Sequence, residues 1–205
     1  MYSFLPSLIL GFHGCDREVA ESVLGGEKRL LPSDNDYDWL GHGVYFWEQN
    51  PLRALQYAQF IKEHPERGRT RIRNPSVLGA TIQPGYCLNL LESTSLDLLK
   101  ESYEMLRAVS EKAGVELPTN RPVGEEHDLL IRKLDCAVIE TLHQFHKDQK
   151  KKSCDTVRGV FLEGEDLYPN AGFKEKNHIQ LCVRNPNCIK GYFRVLKQIE
   201  EYPIP

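Results

Sequence analysis

The chain has no strong excess of charge of either sign and no long apolar run. Its 205 residues carry 26 basic and 29 acidic side chains, a formal charge of −3, which gives no overall reason to expect a nucleic-acid or membrane partner. An apolar stretch at residues 4–12 is interrupted by Pro6 and is far too short to span a bilayer. These absences predict a cytoplasmic protein that does not bind membranes.

Common cysteine and glycine signatures are missing as well. The six cysteines are scattered, and no two of them form a Cys-x-x-Cys pair, which argues against zinc or thioredoxin chemistry. Nothing else indicates secretion, so we expect reduced thiols and no metal. There is also no Rossmann glycine loop and no regular alternation of strands and helices, which argues against a doubly wound sheet.

Strand-forming residues dominate both ends of the chain, whereas the middle is helical. Runs of β-branched, apolar and aromatic residues predict strands at residues 8–13, 44–47, 76–90 (two strands about a Pro-Gly turn), 157–162, 178–183 and 189–196. Helices are predicted at residues 17–24 and 51–62, and two more lie between residues 91 and 152. We therefore predict one α+β domain over residues 1–205, with mostly antiparallel pairing and a helical insertion at residues 91–152.

Three short motifs fall at predicted strands in a recognisable order. His13 and Gly14 follow the first strand, GHGVYF occupies residues 41–46 and leads to a helix containing Tyr57, and HIQLCV occupies residues 178–183. Together they resemble the motifs of ADP-ribosyltransferases of the poly(ADP-ribose) polymerase type, in the diphtheria-toxin-like superfamily with a His-Tyr-Glu triad. The resemblance covers roughly residues 8–60 and 157–193, and does not include the helical middle.

The resemblance implies split antiparallel β-sheets with flanking helices and a site for NAD as co-substrate, without a metal. In the family's roles, His13 would hold the adenosine ribose and the Gly14 backbone the nicotinamide amide, while Tyr45 and Tyr57 would sandwich the nicotinamide ring. The implied catalytic residues are His13, Tyr45 and Gln180. The implied cofactor-binding residues are His13, Gly14, Cys15, Gly43, Tyr45, Phe46 and Tyr57.

Gln180 departs from the family, which has glutamate at this position. Breaking the bond between nicotinamide and ribose develops positive charge on the sugar, and a charged acceptor binds about twice as strongly as a neutral one. The implied function is therefore transfer of a single ADP-ribose from NAD to a protein or nucleic-acid acceptor, with release of nicotinamide. A carboxylate from the preceding loop, Glu163, Glu165 or Glu175, is a candidate to compensate.

Two further features concern the acceptor. His178 shares a strand face with Gln180, and the resemblance implies an acceptor-directing role, for which an imidazole with a pKa near neutrality is suited. Arginines alternate at positions 67, 69, 71 and 73. In an extended chain they would form a positive stripe for NAD phosphates or a nucleic-acid backbone, although a solvated charge run is the alternative.

Other functions stay open. The missing glutamate, and Cys15 in place of the family's usual Thr or Ser, favour a catalytically weak or inactive module that binds NAD or ADP-ribose. The arginines suggest an NAD-dependent RNA 2′-phosphotransferase, which we rank lower, and a structural protein with coincidental motifs is a further alternative. A role as a bacterial or phage-related toxin or defence effector follows only by analogy with other small transferases.

Overall fold

Nine strands and four α-helices make up the computed structural model, which describes residues 8–123, 128–197 and 200–201. Residues 4–7 of the first apolar stretch and residues 124–127 of the predicted insertion lie outside this part. The strands are β1 (Ile9–Asp16), β2 (Val44–Glu48), β3 (Pro75–Ile82), β4 (Cys87–Asn89), β5 (Asn120–Arg121), β6 (Ile131–Arg132), β7 (Thr156–Phe161), β8 (His178–Val183) and β9 (Ile189–Arg194). The helices are α1 (Arg17–Leu24), α2 (Pro51–Glu63), α3 (Ser93–Ala113) and α4 (Lys133–Asp148). No helix in the described part combines the length and apolar character needed to cross a membrane.

Seven strands form one sheet in the order β4-β7-β8-β2-β1-β3-β9, and β5 pairs with β6. Neighbours in the large sheet are antiparallel except for β4 and β7. This confirms an α+β architecture with mostly antiparallel pairing.

The two strands predicted about the Pro84-Gly85 turn do form, but they do not pair with each other. β3 pairs with β1 and β9, whereas β4 pairs with β7 at the opposite edge of the sheet. Asp155 explains the separation, because its carboxylate accepts from the Tyr86 N–H at 2.9 Å and its own N–H donates to the Tyr86 carbonyl at 2.7 Å. The chain after the turn is therefore joined to the start of β7.

Residues 90–155 form the crossover between the parallel strands β4 and β7. Parallel neighbours cannot be joined by a tight turn and need such a crossover, usually a helical one. The crossover contains α3 and α4, which pack against each other. The segment that the sequence marks as an insertion thus also has a topological role.

The large sheet is nearly divided between β1 and β2. β1 pairs with β3 along its whole length, and β2 pairs with β8 through four residue pairs. Between β1 and β2, however, the only pairs in the described chain are Gly11 with Glu48 and Phe12 with Trp47. The two strands therefore part beyond Phe12 and leave a gap, which we call the β1–β2 gap.

Side-chain caps fix the starts of the helices that follow these two strands. Asp16 accepts from the Glu18 N–H at the start of α1, and Asn50 accepts from the Arg53 N–H at the start of α2. Both residue types are favoured at this position because they satisfy a backbone donor that lacks an intrahelical partner. Pro51 then occupies the first turn of α2, where its missing N–H has no cost.

Different helices cover the same face of the sheet on the two sides of the β1–β2 gap. Next to β1, Ala54 of α2 packs with Phe12 and with Trp47, at the end of β2 where the two strands still pair. On the β2 side, Ile139 of α4 belongs to the same core cluster as Cys182 of β8. The gap therefore lies between a part of the sheet covered by α2 and a part covered by α4.

His143 of α4 makes stability sensitive to acid. The side chain is 6% exposed, and in the described part of the chain neither ring nitrogen has a hydrogen-bond partner. Burial, helped by the Arg184 charge, lowers the pKa of His143 from 6.5 to about 4. Between these two values the unfolded chain takes up a proton that the folded chain does not, so stability falls as pH falls, by up to about 3 kcal/mol.

We expect His143→Gln to make the free energy of unfolding less dependent on pH between about 6.5 and 4, as measured by urea denaturation. His64→Gln is the matched control, since His64 lies at the C-terminal end of α2 and is only partly buried. It should keep the wild-type pH dependence. If the pH dependence of the free energy of unfolding became equally weak in both variants, His143 would not be its cause.

Candidate functional site

His13 bridges the β1–β2 gap at the point where the strands part. Its Nδ1 lies 2.8 Å from the carbonyl oxygen of Tyr45. Because a carbonyl oxygen only accepts, the ring hydrogen is on Nδ1, which leaves Nε2 as an acceptor. Desolvation of the ring lowers the pKa of His13, so the imidazole is neutral near pH 7 and able to accept a hydrogen bond from a hydroxyl group.

The backbone of Gly14 faces into the same gap. Two hydrogen bonds show toward which neighbour the backbone N–H and C=O groups of β1 point. The Arg17 N–H binds the Asn74 carbonyl on the β3 side, and the Gln49 N–H binds the Leu10 carbonyl on the β2 side. Because the backbone groups of successive residues point to alternate sides of a strand, those of the even-numbered residues point toward β2. Pairing with β2 ends before Gly14, so its N–H and C=O point into the gap as an adjacent donor and acceptor. That is the pair that a primary carboxamide requires.

Tyr45 presents its ring rather than its hydroxyl group. The hydroxyl donates to the Gly41 carbonyl at 2.8 Å and accepts from the Leu40 N–H at 2.9 Å. Burial raises the pKa of this phenol well above its usual value. The side chain is thus locked against the loop before β2, and its hydroxyl group does not ionise near neutral pH.

Tyr57 approaches from the α2 side and keeps 40% of its surface exposed. Its ring contacts Trp47, with centroids 5.0 Å apart at an angle of 42°. Burial is the main cause of the raised pKa of both Tyr45 and Tyr57, and the Asp38 carboxylate adds to it in both cases. The Asp38 carboxylate is therefore within electrostatic reach of both tyrosines, one of which lies on β2 and the other on α2.

That acidic residue was missed at the sequence level. Asp38 accepts from the Asn35 N–H at 2.9 Å and from the Asn35 side-chain amide at 3.3 Å, while burial raises the pKa of its carboxyl group. Its segment is rich in Asp, Asn and Ser, which favours the interpretation as an exposed loop. The signal that was available is the Asn-x-x-Asp spacing, which suits a side-chain-bonded turn.

Gln180 is buried on β8, opposite Trp47 and two residues from Cys182, the partner of Tyr45. It therefore shares a sheet face with Tyr45. Its carbonyl oxygen accepts a hydrogen bond from the indole N–H of Trp39 at 3.0 Å. Trp39 was not among the predicted site residues, because residues 31–40 are rich in Asp, Asn and Ser, a composition typical of an exposed loop.

The loop that carries Asp38 and Trp39 is fastened to the N-terminal half of α4. The contacts are Lys133 with Asp36 at 2.6 Å, Arg132 over the Trp39 ring at 5.0 Å, and Glu140 with the His42 N–H at 2.9 Å. Arg184, just after β8, completes the clamp through two hydrogen bonds to Glu140 and one to the His42 carbonyl. The helical crossover thus holds one wall of the β1–β2 gap in place.

His178, the residue expected to direct the acceptor, is buried and carries no charge near pH 7. Its ring stacks on Phe161 with centroids 5.0 Å apart, and its Nδ1–H donates to the Lys176 carbonyl. Burial lowers the pKa of His178 to about 4, well below the near-neutral value that suits an acceptor-directing base. Within the described residues Nε2 is buried without a partner. The neutral ring is a weak base at pH 7.

None of the three candidate carboxylates takes the place of Gln180. Glu165 and Glu175 are exposed. Glu163 is partly buried and pairs with Arg53 of α2 at 3.6 Å. However, Gln180 lies opposite Gly159, and four further residues of extended chain place Glu163 about 13 Å along the strand.

Three other predicted cofactor residues are buried in packing, although the Phe46 ring lies close to His13, with centroids 5.8 Å apart. Cys15 and Phe46 are buried in the core cluster on the opposite face of the sheet, and burial raises the pKa of Cys15 to about 11. Gly43 packs under β8, where a Cβ would lie 2.6 Å from the Cys182 sulfur and 2.7 Å from the Val183 carbonyl oxygen. The structure gives all three a packing role.

The alternating arginines do not form an extended stripe. The run begins in a 3₁₀ turn, Pro65–Arg67, and continues as a loop. Arg69 pairs with Asp34 at 2.6 Å, and the Arg73 N–H binds the Asp16 carboxylate. The predicted positive ribbon is therefore absent from this part of the described chain.

A groove of about 460 Å³ opens beside the loop of residues 32–43, and of the predicted site residues it includes Gly43 but not His13, Tyr45 or Gln180. Its charged groups already have partners, since Arg184 binds Glu140 and Asp155 binds Asn185. The β1–β2 gap, with its unpaired backbone groups, is the better candidate for a ligand site.

A substitution at Gly14 tests how closely α2 packs on β1 beside the gap. A Cβ at this position would lie 2.1 Å from the backbone oxygen of Ala54, so Gly14→Ala must push α2 away from β1. We expect urea denaturation to show a loss of about 1–3 kcal/mol in the free energy of unfolding. Gly191→Ala, on β9 with no atom within 4 Å of the added carbon, should cost less than about 0.5 kcal/mol. Equal losses would contradict the packing argument.

Comparison with known proteins supplies one relative and no family. No protein-family model matches the chain, and no solved structure matches it. An uncharacterized protein of Methanocaldococcus jannaschii is 27% identical over 215 residues, an alignment that covers 94% of this chain and 91% of the relative. The similarity therefore extends through the helical crossover as well as both β-rich ends.

Proposed function

We propose that the protein binds NAD in the β1–β2 gap and transfers a single ADP-ribose to a macromolecular acceptor, with release of nicotinamide. The observation that carries the proposal is the parting of β1 and β2 directly after Phe12. It leaves the Gly14 backbone without a strand partner next to His13 and Tyr45, the residues through which the chain resembles poly(ADP-ribose) polymerase-type transferases. A nearly divided, mostly antiparallel sheet also fits the split sheets of that family.

Each part of the dinucleotide has a matching group in the gap. The Gly14 N–H and C=O suit the carboxamide of nicotinamide, and the rings of Tyr45 and Tyr57 suit its flat faces. His13 Nε2 suits a ribose hydroxyl, because the other ring nitrogen is already bound to the Tyr45 carbonyl. Binding would therefore use side chains and backbone groups that the fold has already oriented.

Asp38 supplies the negative charge that the neutral Gln180 side chain lacks. Loss of nicotinamide develops positive charge on the ribose, and Gln180 brings no negative charge to oppose it. The Asp38 carboxylate lies close enough to Tyr45 and Tyr57 to raise the pKa of both. In this proposal Asp38 stabilises the developing cation. The acceptor, a protein or a nucleic acid, approaches past the loop of residues 163–176.

The Trp39–Gln180 hydrogen bond favours a second candidate, a module that binds NAD or ADP-ribose without turnover. The indole N–H engages the amide oxygen that would otherwise accept from the ribose. An RNA 2′-phosphotransferase, the lower-ranked alternative, loses its motivation because the arginine stripe does not form.

Tyr57 offers a test of binding. Removing one stacking partner costs about 0.5–1.5 kcal/mol, so Tyr57→Ala should weaken NAD binding about 2- to 10-fold, as measured by calorimetry. Phe60→Ala is a close control, because Phe60 lies on the same helix with similar exposure but stacks on His64. Identical affinities in wild type and both variants would count against nicotinamide between the tyrosines.

Turnover is tested with labelled NAD and separated protein and nucleic-acid fractions of a lysate. The transferase predicts free nicotinamide together with label on one of the fractions, and a Tyr45→Ala variant should lose both because the stacking wall is gone. The binding module predicts saturable binding with no nicotinamide over hours. Absence of both binding and release would refute the proposal.

A further inference from the structure

We propose that Trp39 is a positioning residue that turns the amide N–H group of Gln180, rather than its carbonyl oxygen, toward the ribose of the bound dinucleotide. The inference rests on the proposed function, since it concerns the same site. It assigns a role to a residue that lies outside the three motifs and in a loop held by the helical crossover.

The orientation of the Gln180 amide follows from the chemistry of its partner. An indole N–H can only donate, so the atom of Gln180 that lies 3.0 Å from Trp39 Nε1 must be the carbonyl oxygen. The NH₂ group therefore points away from Trp39. It has no hydrogen-bond partner in the described part of the chain, and it is not fully buried. Part of its surface is thus open to a ligand.

Trp39 is itself held firmly enough to impose this orientation. The Arg132 guanidinium lies 5.0 Å above its ring and 4.7 Å above the neighbouring Phe161 ring. Beneath the indole is Gly159, where an added Cβ would come within 3.1 Å of Trp39 Cη2. Contacts on both sides, from β7 and from the residue before α4, thus leave the indole little room to rotate.

The consequence concerns the difference between the bound substrate and the transition state. An N–H donor suits the lone pairs of ribose oxygens in intact NAD, but it opposes the positive charge that develops as nicotinamide leaves. Only interactions that strengthen in the transition state accelerate the reaction. With Trp39 in place, Gln180 therefore favours retention of NAD over its cleavage.

A comparison of wild type with W39F, Q180E and the double variant tests this. Trp39→Phe keeps an aromatic ring for Arg132 but frees the amide to turn its oxygen to the ribose, so nicotinamide release should rise about 3- to 10-fold, the worth of one hydrogen bond. Gln180→Glu should raise release about 100-fold, because one carboxylate oxygen can bind Trp39 while the other faces the ribose. In the Q180E background, Trp39→Phe should give no further gain.

Tyr192→Phe is the control. It removes one polar group from an aromatic side chain of β9, which lies at the edge of the sheet and is separated from the gap by β3, and it should leave nicotinamide release at the wild-type rate. NAD affinity, measured by calorimetry, and thermal unfolding of each variant check that the fold and the binding site persist.

The outcomes distinguish a failure of the proposed role of Trp39 from a failure of the proposed NAD-binding function. If the proteins bind NAD but Trp39→Phe leaves release unchanged, or lowers it in both the wild-type and Q180E backgrounds, then Trp39 does not orient Gln180 and the inference is wrong. If none of the four proteins binds NAD, the proposed function itself is overturned. A gain in wild type that vanishes in Q180E supports both.

Discussion

The incomplete pairing of β1 with β2 is the constraint on which the proposed site depends. A backbone N–H or C=O that is buried without a partner costs free energy comparable to a lost hydrogen bond. His13 meets part of this cost by donating its ring N–H to the Tyr45 carbonyl. Gly14 is buried and leaves its donor and acceptor facing the gap, so a ligand with a complementary amide would satisfy groups that the sheet does not.

The crossover between β4 and β7 has two structural roles. It joins two parallel neighbours, and it fastens the loop before β2 through the first turns of α4. The Arg184–Glu140 pair lies at the centre of this clamp, with both side chains mostly buried. Pairs of this kind are costly to break, because the remaining partner keeps an uncompensated charge. The positions of Asp38 and Trp39 at the gap therefore depend on the crossover, a segment to which the motif resemblance does not extend.

Local pattern predicted most of the elements, and long-range contacts account for what it missed. The helices at residues 17–24 and 51–62, which begin after Asp16 and at Pro51, and the strand at residues 178–183 follow from propensity and spacing, and all three are present. The pairing of β4 with β7 depends on Asp155, almost 70 residues from Tyr86. The pKa of His178 likewise depends on burial against Phe161. Trp39 and Asp38 were missed because their polar neighbours resemble those of an exposed loop, whereas α4 holds that loop against the sheet.

The pairing of β2 with β8 also has a consequence for synthesis. Tyr45 lies opposite Cys182, more than 130 residues further along the chain, and contacts this distant in sequence are slow to form. Until β8 emerges from the ribosome, β2 presents Val44–Glu48, a run of apolar and aromatic residues, with one edge unpaired. Unpaired apolar edges promote aggregation. This edge of β2 therefore stays unpaired while the crossover is translated, and chains that end before residue 178 lack the strand that protects it.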